Sequence, residues 1–369
     1  MFNRKLVFYF LLFFFIAGQV TSGQAAAAAV PKIYSQYAVV MDANSGELIY
    51  TRNQDKRWYP ASMTKVLTAM ILMDKVSPGT MMTASKNAVS KDASNSYFRL
   101  KAGEKMSRED ALNALLILSC NDVAAMIAEH IAGSESKFSA LMNKKAKEIG
   151  AKNSHFVTPN GLHSSKHYTT TQDMALLARE AYLKYPEVLK AMGTKSAVVR
   201  TSKRTVKLTS KATFHAMPYV IGGKTGYTNA ARNSLVEIVK KNNTTLIGVV
   251  MKSTKSHAVK DIAAMTNYSF SMMETIQPVA AGQTAATINV RNTKVPLIVQ
   301  NAISFSTKKD SRLPITIKNI FPRTPITSIA VGQPFGEVTV WKNDVKVGSS
   351  PLISTAAVKE PIVQPVDNE

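Results

Sequence analysis

The feature that most constrains the fold of this chain is a change of pattern at Ile276. Before it, apolar residues recur at the spacing of amphipathic helices, and strand-like stretches lie at both ends of that region. After it, helical spacing stops and short β-like segments alternate with Gly, Pro and Asn. At 369 residues, the chain is long enough for two domains. The sequence therefore predicts an α+β domain over residues 32–275 and a small all-β sandwich domain over residues 276–358.

The first domain is predicted to begin with a hairpin from Tyr37 to Tyr50. Helices are expected from Pro60, from Ser107, and over Val123–Ile131, Ser136–Ile149, Asp173–Lys184 and His257–Met273. Strands are expected over 196–201, 205–209, 235–239 and 245–251. Antiparallel strands from both ends of the domain thus bracket its helices.

The N-terminus has the pattern of a secretory signal peptide over residues 1–28. Arg4 and Lys5 precede the apolar run Leu6–Ala17, and small residues follow it. This run is shorter than the roughly 20 residues that a spanning helix needs, although an uncleaved signal anchor stays open. The chain is therefore expected to be exported. At the other end, the acidic, proline-containing segment 359–369 is expected to be a disordered tail.

The charge and the cysteine content exclude several classes of function. Lys and Arg number 46 against 24 Asp and Glu, a net charge of +22, which favours a polyanionic partner. Export makes an anionic cell wall the expected polyanion and argues against nucleic acid. Cys120 is the only cysteine, so a disulfide framework or a zinc site with several thiolates is excluded.

The sharpest local motif is Pro60-Ala61-Ser62-Met63-Thr64-Lys65. A serine in the first turn of a helix and a lysine three residues later lie on one face. A neutral lysine amine there can take the serine proton and generate a nucleophile. The spacing alone has little weight, because Ser134/Lys137 and Ser306/Lys309 share it. A helix cap beside a surface lysine is the ordinary alternative.

Two further short motifs accompany the first. Ser119-Cys120-Asn121 lies between two predicted helices, where Asn121 could simply cap the helix that begins at Val123. Lys224-Thr225-Gly226 lies on a predicted strand, and it is not a phosphate-binding loop, because Pro218 stands where that loop needs glycine. Ser-x-x-Lys, Ser-x-Asn and Lys-Thr-Gly rarely occur by chance in this order on a helix, an interhelical loop and a strand.

This triple is the signature of penicillin-binding proteins and serine β-lactamases. Flanking segments make the chain resemble the D-alanyl-D-alanine carboxypeptidases, the low-molecular-mass penicillin-binding proteins, from Ile33 to Leu352. These segments are Asp42–Glu47, Pro60–Lys65, His155–Val157 with Gly161–His163, and Lys224–Thr228.

The resemblance has implications for fold and function. It implies a penicillin-binding-protein-like α+β domain, with an antiparallel sheet, helices and a helical subdomain, followed by a small β-sandwich. It also implies removal of the terminal D-alanine from peptidoglycan pentapeptide stems through an acyl-enzyme, and inhibition by β-lactam antibiotics. No cofactor and no metal are implied.

The resemblance assigns the catalytic roles position by position. Ser62 resembles the nucleophile, Lys65 its general base, and Ser119 the relay that carries a proton to the leaving amine. Asn121 resembles a residue that orients the substrate and Lys65. One expectation needs no resemblance: burial beside the second cation, Lys224, lowers the pKa of Lys65.

The remaining motif is expected to hold the substrate. Lys224 and Thr225 resemble the pair that binds the terminal carboxylate, and Gly226 lets its strand approach closely. The backbone N–H groups of Ser62 and Tyr227 would form the oxyanion hole, with fixed donors where negative charge develops.

The chain departs from the usual family pattern in two places. Cys120 stands where glycine is usual, and it is expected to crowd the edge of the cleft. The C-terminal amphipathic helix by which many relatives lie on the membrane is not expected in the acidic, proline-containing segment 359–369, so membrane anchoring by such a helix is not predicted. The expected location is the periplasm or the extracytoplasmic cell envelope.

The sequence also allows two alternative functions and one candidate metal site. A serine β-lactamase shares the motifs, but its Glu-x-x-Leu-Asn element would lie beyond Ser119, whereas Glu109–Asn113 lies before it. A non-catalytic envelope binding protein is the alternative from another class, and the intact motifs speak against it. His163 and His167 stand four residues apart without the glutamate of a zinc-protease helix, so no metal site is predicted.

Overall fold

The computed structural model describes residues 29–91, 97–322 and 326–359. The predicted signal peptide and, apart from Lys359, the predicted tail lie outside these residues. Within the described residues, two 3-10 turns occur, Ala61–Thr64 and Thr213–Ala216. The helices are, in chain order, α1 (Lys65–Lys75), α2 (Lys86–Val89), α3 (Arg108–Ile117), α4 (Asn121–Ala132), α5 (Glu135–Ile149), α6 (Thr171–Lys184), α7 (Pro186–Gly193) and α8 (Lys255–Ser271).

The strands of the described residues alternate with these helices only in the first domain. They are, in chain order, β1 (Tyr37–Asp42), β2 (Leu48–Arg52), β3 (Met81–Thr83), β4 (Lys105–Ser107), β5 (Ser196–Arg200), β6 (Thr205–Thr209), β7 (Val220–Thr228), β8 (Arg232–Lys241), β9 (Thr244–Ser253), β10 (Met273–Val279), β11 (Thr284–Val290), β12 (Thr293–Val299), β13 (Ile303–Lys308), β14 (Ile315–Ile320), β15 (Pro334–Lys342) and β16 (Val345–Ser354).

The central sheet has the strand order β2-β1-β9-β8-β7, and every neighbouring pair is antiparallel. The N-terminal hairpin and the strands β7, β8 and β9 therefore meet in one sheet, as predicted, whereas the strands predicted over 196–201 and 205–209 form the separate hairpin β5–β6. α8 packs on one face of this sheet through Ala258 and Ile262. The other helices, with α1 and α4 at their centre, bury the opposite face in the largest core. This α+β fold leaves β7 at the edge of the sheet, facing the helical side.

Besides shifts of one or two residues at other helices, two helix starts differ from the prediction at the motifs. Ser62 lies in the 3-10 turn before α1 and not in the α-helix itself. α4 starts at Asn121, and Cys120 takes the N-cap position without a side-chain cap hydrogen bond. The prediction that Asn121 caps a helix starting at Val123 is therefore wrong. Its side-chain oxygen accepts a hydrogen bond from Lys65 instead.

The C-terminal domain is all-β, as predicted. β10 starts shortly after α8 and pairs with β13, and the other five strands form a sheet of order β11-β12-β16-β15-β14. Val279, Leu297 and Val338 lie in the core between the two sheets. The domain contacts the β1–β2 turn of the first domain, where Lys342 and Glu47 form an ion pair. Among the described residues, none of the helices has the length and apolar character needed to cross a bilayer.

Candidate active site

Ser62 lies in the 3-10 turn directly before α1, at the mouth of a cleft. The preceding residue, Ala61, has a φ of 48°. A residue with a side chain seldom adopts this left-handed conformation, and such strain persists only where the surrounding structure imposes it. Lys65 begins α1 and is fully buried, and its Nζ lies 2.9 Å from Ser62 Oγ.

The amine of Lys65 has two further partners. Its Nζ lies 2.7 Å from Asn121 Oδ1 and 2.7 Å from the backbone oxygen of Asn160. Carbonyl oxygens only accept hydrogen bonds, so these two partners fix two N–H groups of the amine. The third partner is the Ser62 hydroxyl, which can also donate. In the neutral amine, the lone pair therefore points at Ser62 Oγ.

Burial favours the neutral form of the Lys65 amine. The pKa of Lys65 is lowered well below 10.5, first by burial and second by the charge of Lys224. Lys65 forms no ion pair within residues 29–91, 97–322 and 326–359. The expectation that burial beside Lys224 depresses this pKa is confirmed.

Lys224 joins the strand β7 to the loop between α3 and α4. Its Nζ donates to Ser119 Oγ and to the backbone oxygen of Thr225, both at 3.0 Å. Ser119 has a φ of 62°, so the loop turns sharply there and presents the hydroxyl to the cleft. Lys224 is 2% exposed, and burial lowers its pKa to about 7.

Gly226 lets β7 lie against the turn that carries Ser62. A Cβ atom at this position would lie 2.7 Å from the backbone oxygen of Pro60, closer than atoms of this kind approach. Thr225 and Tyr227 flank it with exposed side chains. A larger residue at position 226 would push the strand away from Ser62.

The structure brings all eight predicted site residues together around one cleft of about 870 Å³. Lys65 lies buried below Ser62, and seven residues line the cleft: Ser62, Ser119, Asn121, Lys224, Thr225, Gly226 and Tyr227.

Sequence reasoning missed the loop that supplies the third partner of Lys65. The Asn160 carbonyl belongs to a segment that Thr68 Oγ1 of α1 holds through a 2.6 Å hydrogen bond to Pro159. His167 Nδ1 accepts hydrogen bonds from two backbone N–H groups of the same segment, so its Nε2 carries the hydrogen and donates to Thr64 Oγ1 at 2.9 Å. Burial lowers the pKa of His167 to about 3, which keeps the ring neutral.

One signal in the sequence pointed to this loop. Gly161, within the family-like segment Gly161–His163, has a φ of 81°, and a Cβ there would lie 1.9 Å from the backbone oxygen of Ala61. The glycine is thus required for the loop to pack against the Ser62 turn. The role of the neighbouring Asn160 carbonyl has no such signal, because every residue has that group.

The expectation about Cys120 is wrong. Its side chain is fully buried in the main core and does not line the cleft. As a small and largely apolar side chain, it packs inward at the start of α4. His163 and His167 belong to no metal-binding group, and the described residues contain no cluster of three or more potential ligands.

Comparisons with known proteins agree with this geometry. A family model described as D-alanyl-D-alanine carboxypeptidase matches residues 24–255, which is more than half of the chain. The chain belongs to the D-alanyl-D-alanine carboxypeptidase family. A second model, described as the C-terminal domain of penicillin-binding protein 5, matches residues 274–360.

Individual carboxypeptidases of this family are similar over most of the chain. D-alanyl-D-alanine carboxypeptidase DacF of Bacillus subtilis is 33% identical over 333 residues, covering 88% of this chain and 85% of the relative. The crystal structure of DacD from Francisella tularensis has a TM-score of 0.65 at 25% identity and covers 90% of this chain and 95% of its own. Penicillin-binding protein 5 from Haemophilus influenzae has a TM-score of 0.63 at 26% identity, with 89% and 99% covered.

Membership in this family defines the enzyme class of the protein. The protein is a serine-type D-Ala-D-Ala carboxypeptidase and therefore a hydrolase. The family acts on the D-Ala-D-Ala stems of peptidoglycan, outside the cytoplasm, and binds β-lactams. The β-lactamase and the non-catalytic binding protein considered from the sequence are thereby set aside.

Proposed function

We propose that Ser62 is the nucleophile with which this carboxypeptidase removes the terminal D-alanine of pentapeptide stems. The observation that carries the proposal is the arrangement around Lys65 Nζ. Two carbonyl oxygens accept hydrogen bonds from the amine. Its Nζ also lies 2.9 Å from Ser62 Oγ, in the one direction that is left for the lone pair. A base that is already aimed at the hydroxyl can take its proton without rearrangement.

Acylation then proceeds from these contacts. Lys65 takes the Ser62 proton, and Oγ attacks the carbonyl carbon of the penultimate D-alanine. The backbone N–H groups of Ser62 and Tyr227 stabilise the negative charge on the carbonyl oxygen. The C–N bond breaks as Ser119 passes its proton to the leaving amine and takes up the proton that Lys65 received from Ser62, which leaves Lys65 neutral. Water then hydrolyses the ester, with Lys65 again as the base, and restores free Ser62.

The substrate's terminal carboxylate is assigned to Lys224 and Thr225. Lys224 already donates to Ser119 Oγ, so a carboxylate bound there lies beside the proton relay. Asn121 has a second task besides holding Lys65, since it lines the cleft and can orient the substrate amide. Gly226 keeps β7 close enough for Tyr227 to reach the reacting carbonyl.

We infer the same division and location of the chain as from the sequence: a signal peptide over 1–28, a catalytic domain over 32–275, a β-sandwich over 276–358 and a tail over 359–369. The net charge of +22 supports binding to an anionic cell wall. Export to the periplasm or the extracytoplasmic envelope, where nucleic acid is not a partner, follows from the N-terminal pattern and the family's extracytoplasmic action.

Penicillin labelling tests the proposed nucleophile. Mass spectrometry of a digest of the penicillin-treated protein is expected to place the adduct on Ser62, and Ser62→Ala to abolish both the adduct and D-alanine release. Ser134→Ala is the matched control, because Ser134 has the same spacing to a lysine but caps α5 through a hydrogen bond from the Lys137 backbone. An adduct on Ser134 or Ser306 would refute the assignment.

A further inference from the structure

The hairpin of β5 and β6 takes no part in the chemistry above. Residues 195–211, which form it, include six Lys and Arg and no Asp or Glu. The hairpin is a two-stranded sheet of its own that packs on α3. On its inner side, Val199 and Leu208 are at most 1% exposed and belong to the main core. Alternate residues of a strand point to opposite faces, so the other side of the hairpin faces outwards.

The outward side of the hairpin carries a basic face, which consists of Val198, Arg200, Thr205 and Lys207 together with Lys203 in the connecting loop. All five residues are exposed. In the part of the chain that the structure describes, Arg200, Lys203 and Lys207 form no ion pair. Their three positive charges are therefore available to an anionic partner.

Contacts with β4 and the residue before it fix the tip of the hairpin. Arg204 Nε donates to Glu104 Oε1 at 3.2 Å, and the same buried carboxylate accepts a hydrogen bond from Thr201 Oγ1. The Ser202 N–H donates to the Lys105 backbone oxygen at 2.7 Å, and the Lys105 N–H donates to Ser202 Oγ at 3.0 Å. Because these contacts hold the basic face in place, little conformational freedom is lost when a partner binds.

Three features of the basic face favour a polymer that carries phosphate groups on a carbon chain. Arginine offers parallel N–H donors that match phosphate oxygens, and Thr205, opposite Arg200 in the strand register, adds a hydroxyl donor. Val198 is 49% exposed opposite Lys207, where it can contact the carbon atoms between phosphates. Residues 195–211 contain no aromatic side chain on which bases could stack, so the surface fits nucleic acid less well.

We propose that this hairpin binds phosphodiester polymers of an anionic cell wall and so holds the enzyme beside its substrate. The inference rests on the proposed function, in which the protein is exported and acts on peptidoglycan. Thr209, at the end of β6, lines the cleft, whereas the residues of the basic face do not. The bound polymer therefore lies next to the cleft and leaves it open to the peptide stem.

The test measures the affinity of the full chain for poly(glycerol phosphate). Fluorescence anisotropy of the labelled polymer is recorded at increasing NaCl concentrations. One variant combines Arg200→Gln, Lys203→Gln and Lys207→Gln and is expected to bind about tenfold more weakly, because each exposed ion pair contributes a factor of a few. Its affinity should also fall less steeply with salt, since fewer counterions are released on binding.

A variant that loses the same charge elsewhere is the control. Lys137→Gln, Lys144→Gln and Lys147→Gln change exposed residues of α5, which packs on α1, α4 and α6, and together they also lower the net charge by three. The affinity of this variant should stay within about twofold of the parental affinity. Equal weakening in the two variants overturns the inference, because the position of the charge would then not matter.

D-alanine release separates the polymer site from the proposed function. The hairpin variant should release D-alanine from a soluble pentapeptide at the parental rate, since its three changed residues do not line the cleft. If the variant does not fold, Lys207→Gln alone decides, with an expected loss of affinity of about threefold. No release by the parental protein would refute the proposed function, while polymer binding would still decide this inference. Tighter binding of single-stranded DNA or polyglutamate of equal charge would overturn it.

Discussion

The active-site cleft and the contact between the two domains each bury a lysine, but in opposite surroundings. In the domain contact, Lys342 is 1% exposed and its Nζ lies 3.0 Å from Glu47 Oε2. Ser311 donates to the same carboxylate at 2.7 Å. In the cleft, the partners of Lys65 Nζ among the described residues are a hydroxyl and two carbonyl oxygens.

The difference shows how one residue type serves two purposes. A carboxylate partner compensates a buried ammonium, so the lysine becomes a link between domains. Without that partner, burial favours the neutral amine, so the lysine becomes available as a base. Glu237 shows the same effect of burial on an acid, whose neutral form is also favoured. This carboxyl is 2% exposed, one of its oxygens has no hydrogen-bond partner in the structure, and burial raises its pKa to about 8.

Replacing Lys65 by arginine should have the largest effect. The guanidinium keeps the charge but does not lose its proton, so the rate of acylation by penicillin is expected to fall by about 10²- to 10⁴-fold. The measurement is adduct formation over time by mass spectrometry. Lys342→Arg is the control, since that site requires only a cation, and its acylation rate should equal the parental rate. If Lys65→Arg is acylated at the parental rate, a positive charge at position 65 is sufficient for acylation and no base is needed there.

Removing the acid from the domain contact should affect stability and not catalysis. Glu47→Ala leaves Lys342 buried without its carboxylate and is expected to lower the free energy of unfolding by about 2–3 kcal/mol, somewhat less than for a fully buried pair. Urea denaturation of the full chain measures it. Glu337→Ala breaks the exposed pair with Lys346 and should cost below about 1 kcal/mol. Equal losses in the two variants would refute the distinction.

The second lysine of the cleft should show a substrate-dependent effect. Lys224→Ala removes a charge-assisted contact with the terminal carboxylate worth about 1.5–3 kcal/mol, which corresponds to a loss in kcat/KM of about 10- to 150-fold. A substrate whose terminal carboxylate is an amide lacks the contact and should lose much less. If both substrates lose equally, Lys224 acts through the fold or through the pKa of Lys65.

Glu237 should change how the stability of the fold depends on pH. Its pKa is 4.5 in its ordinary state and about 8 in the fold, so the folded chain holds a proton that the unfolded chain lacks between these values. Stability therefore falls by about 1.4 kcal/mol per pH unit as pH rises from about 4.5 to 8. Glu237→Gln should remove this component of the slope in urea denaturation between pH 5 and 8. An unchanged slope would show that Glu237 is ionised in the fold.

Local rules were sufficient for many of the elements. Ser107 caps α3, the helix predicted to begin there, and α5 ends at Ile149, as predicted, before Gly150 with a φ of 96°. Capping depends on a few adjacent residues, so the sequence carries it directly. The same rules failed at Asn121, because Lys65, 56 positions away in the chain, competes for its side chain. The short helix α7 and the strands β10, β13 and β16 escaped prediction, since their patterns are weak without the neighbours they pack on.

By itself, the sequence determined the two-domain pattern, the three motifs and their order, and so the family. Only the tertiary structure decided that the Asn160 carbonyl completes the surroundings of Lys65, that Glu47 joins the domains through Lys342, and that the residues of the three motifs line one cleft. The physical reason is the same in each case. A backbone carbonyl, an ion pair between distant residues and a cavity have no local sequence pattern, because they exist only where packed elements bring their parts together.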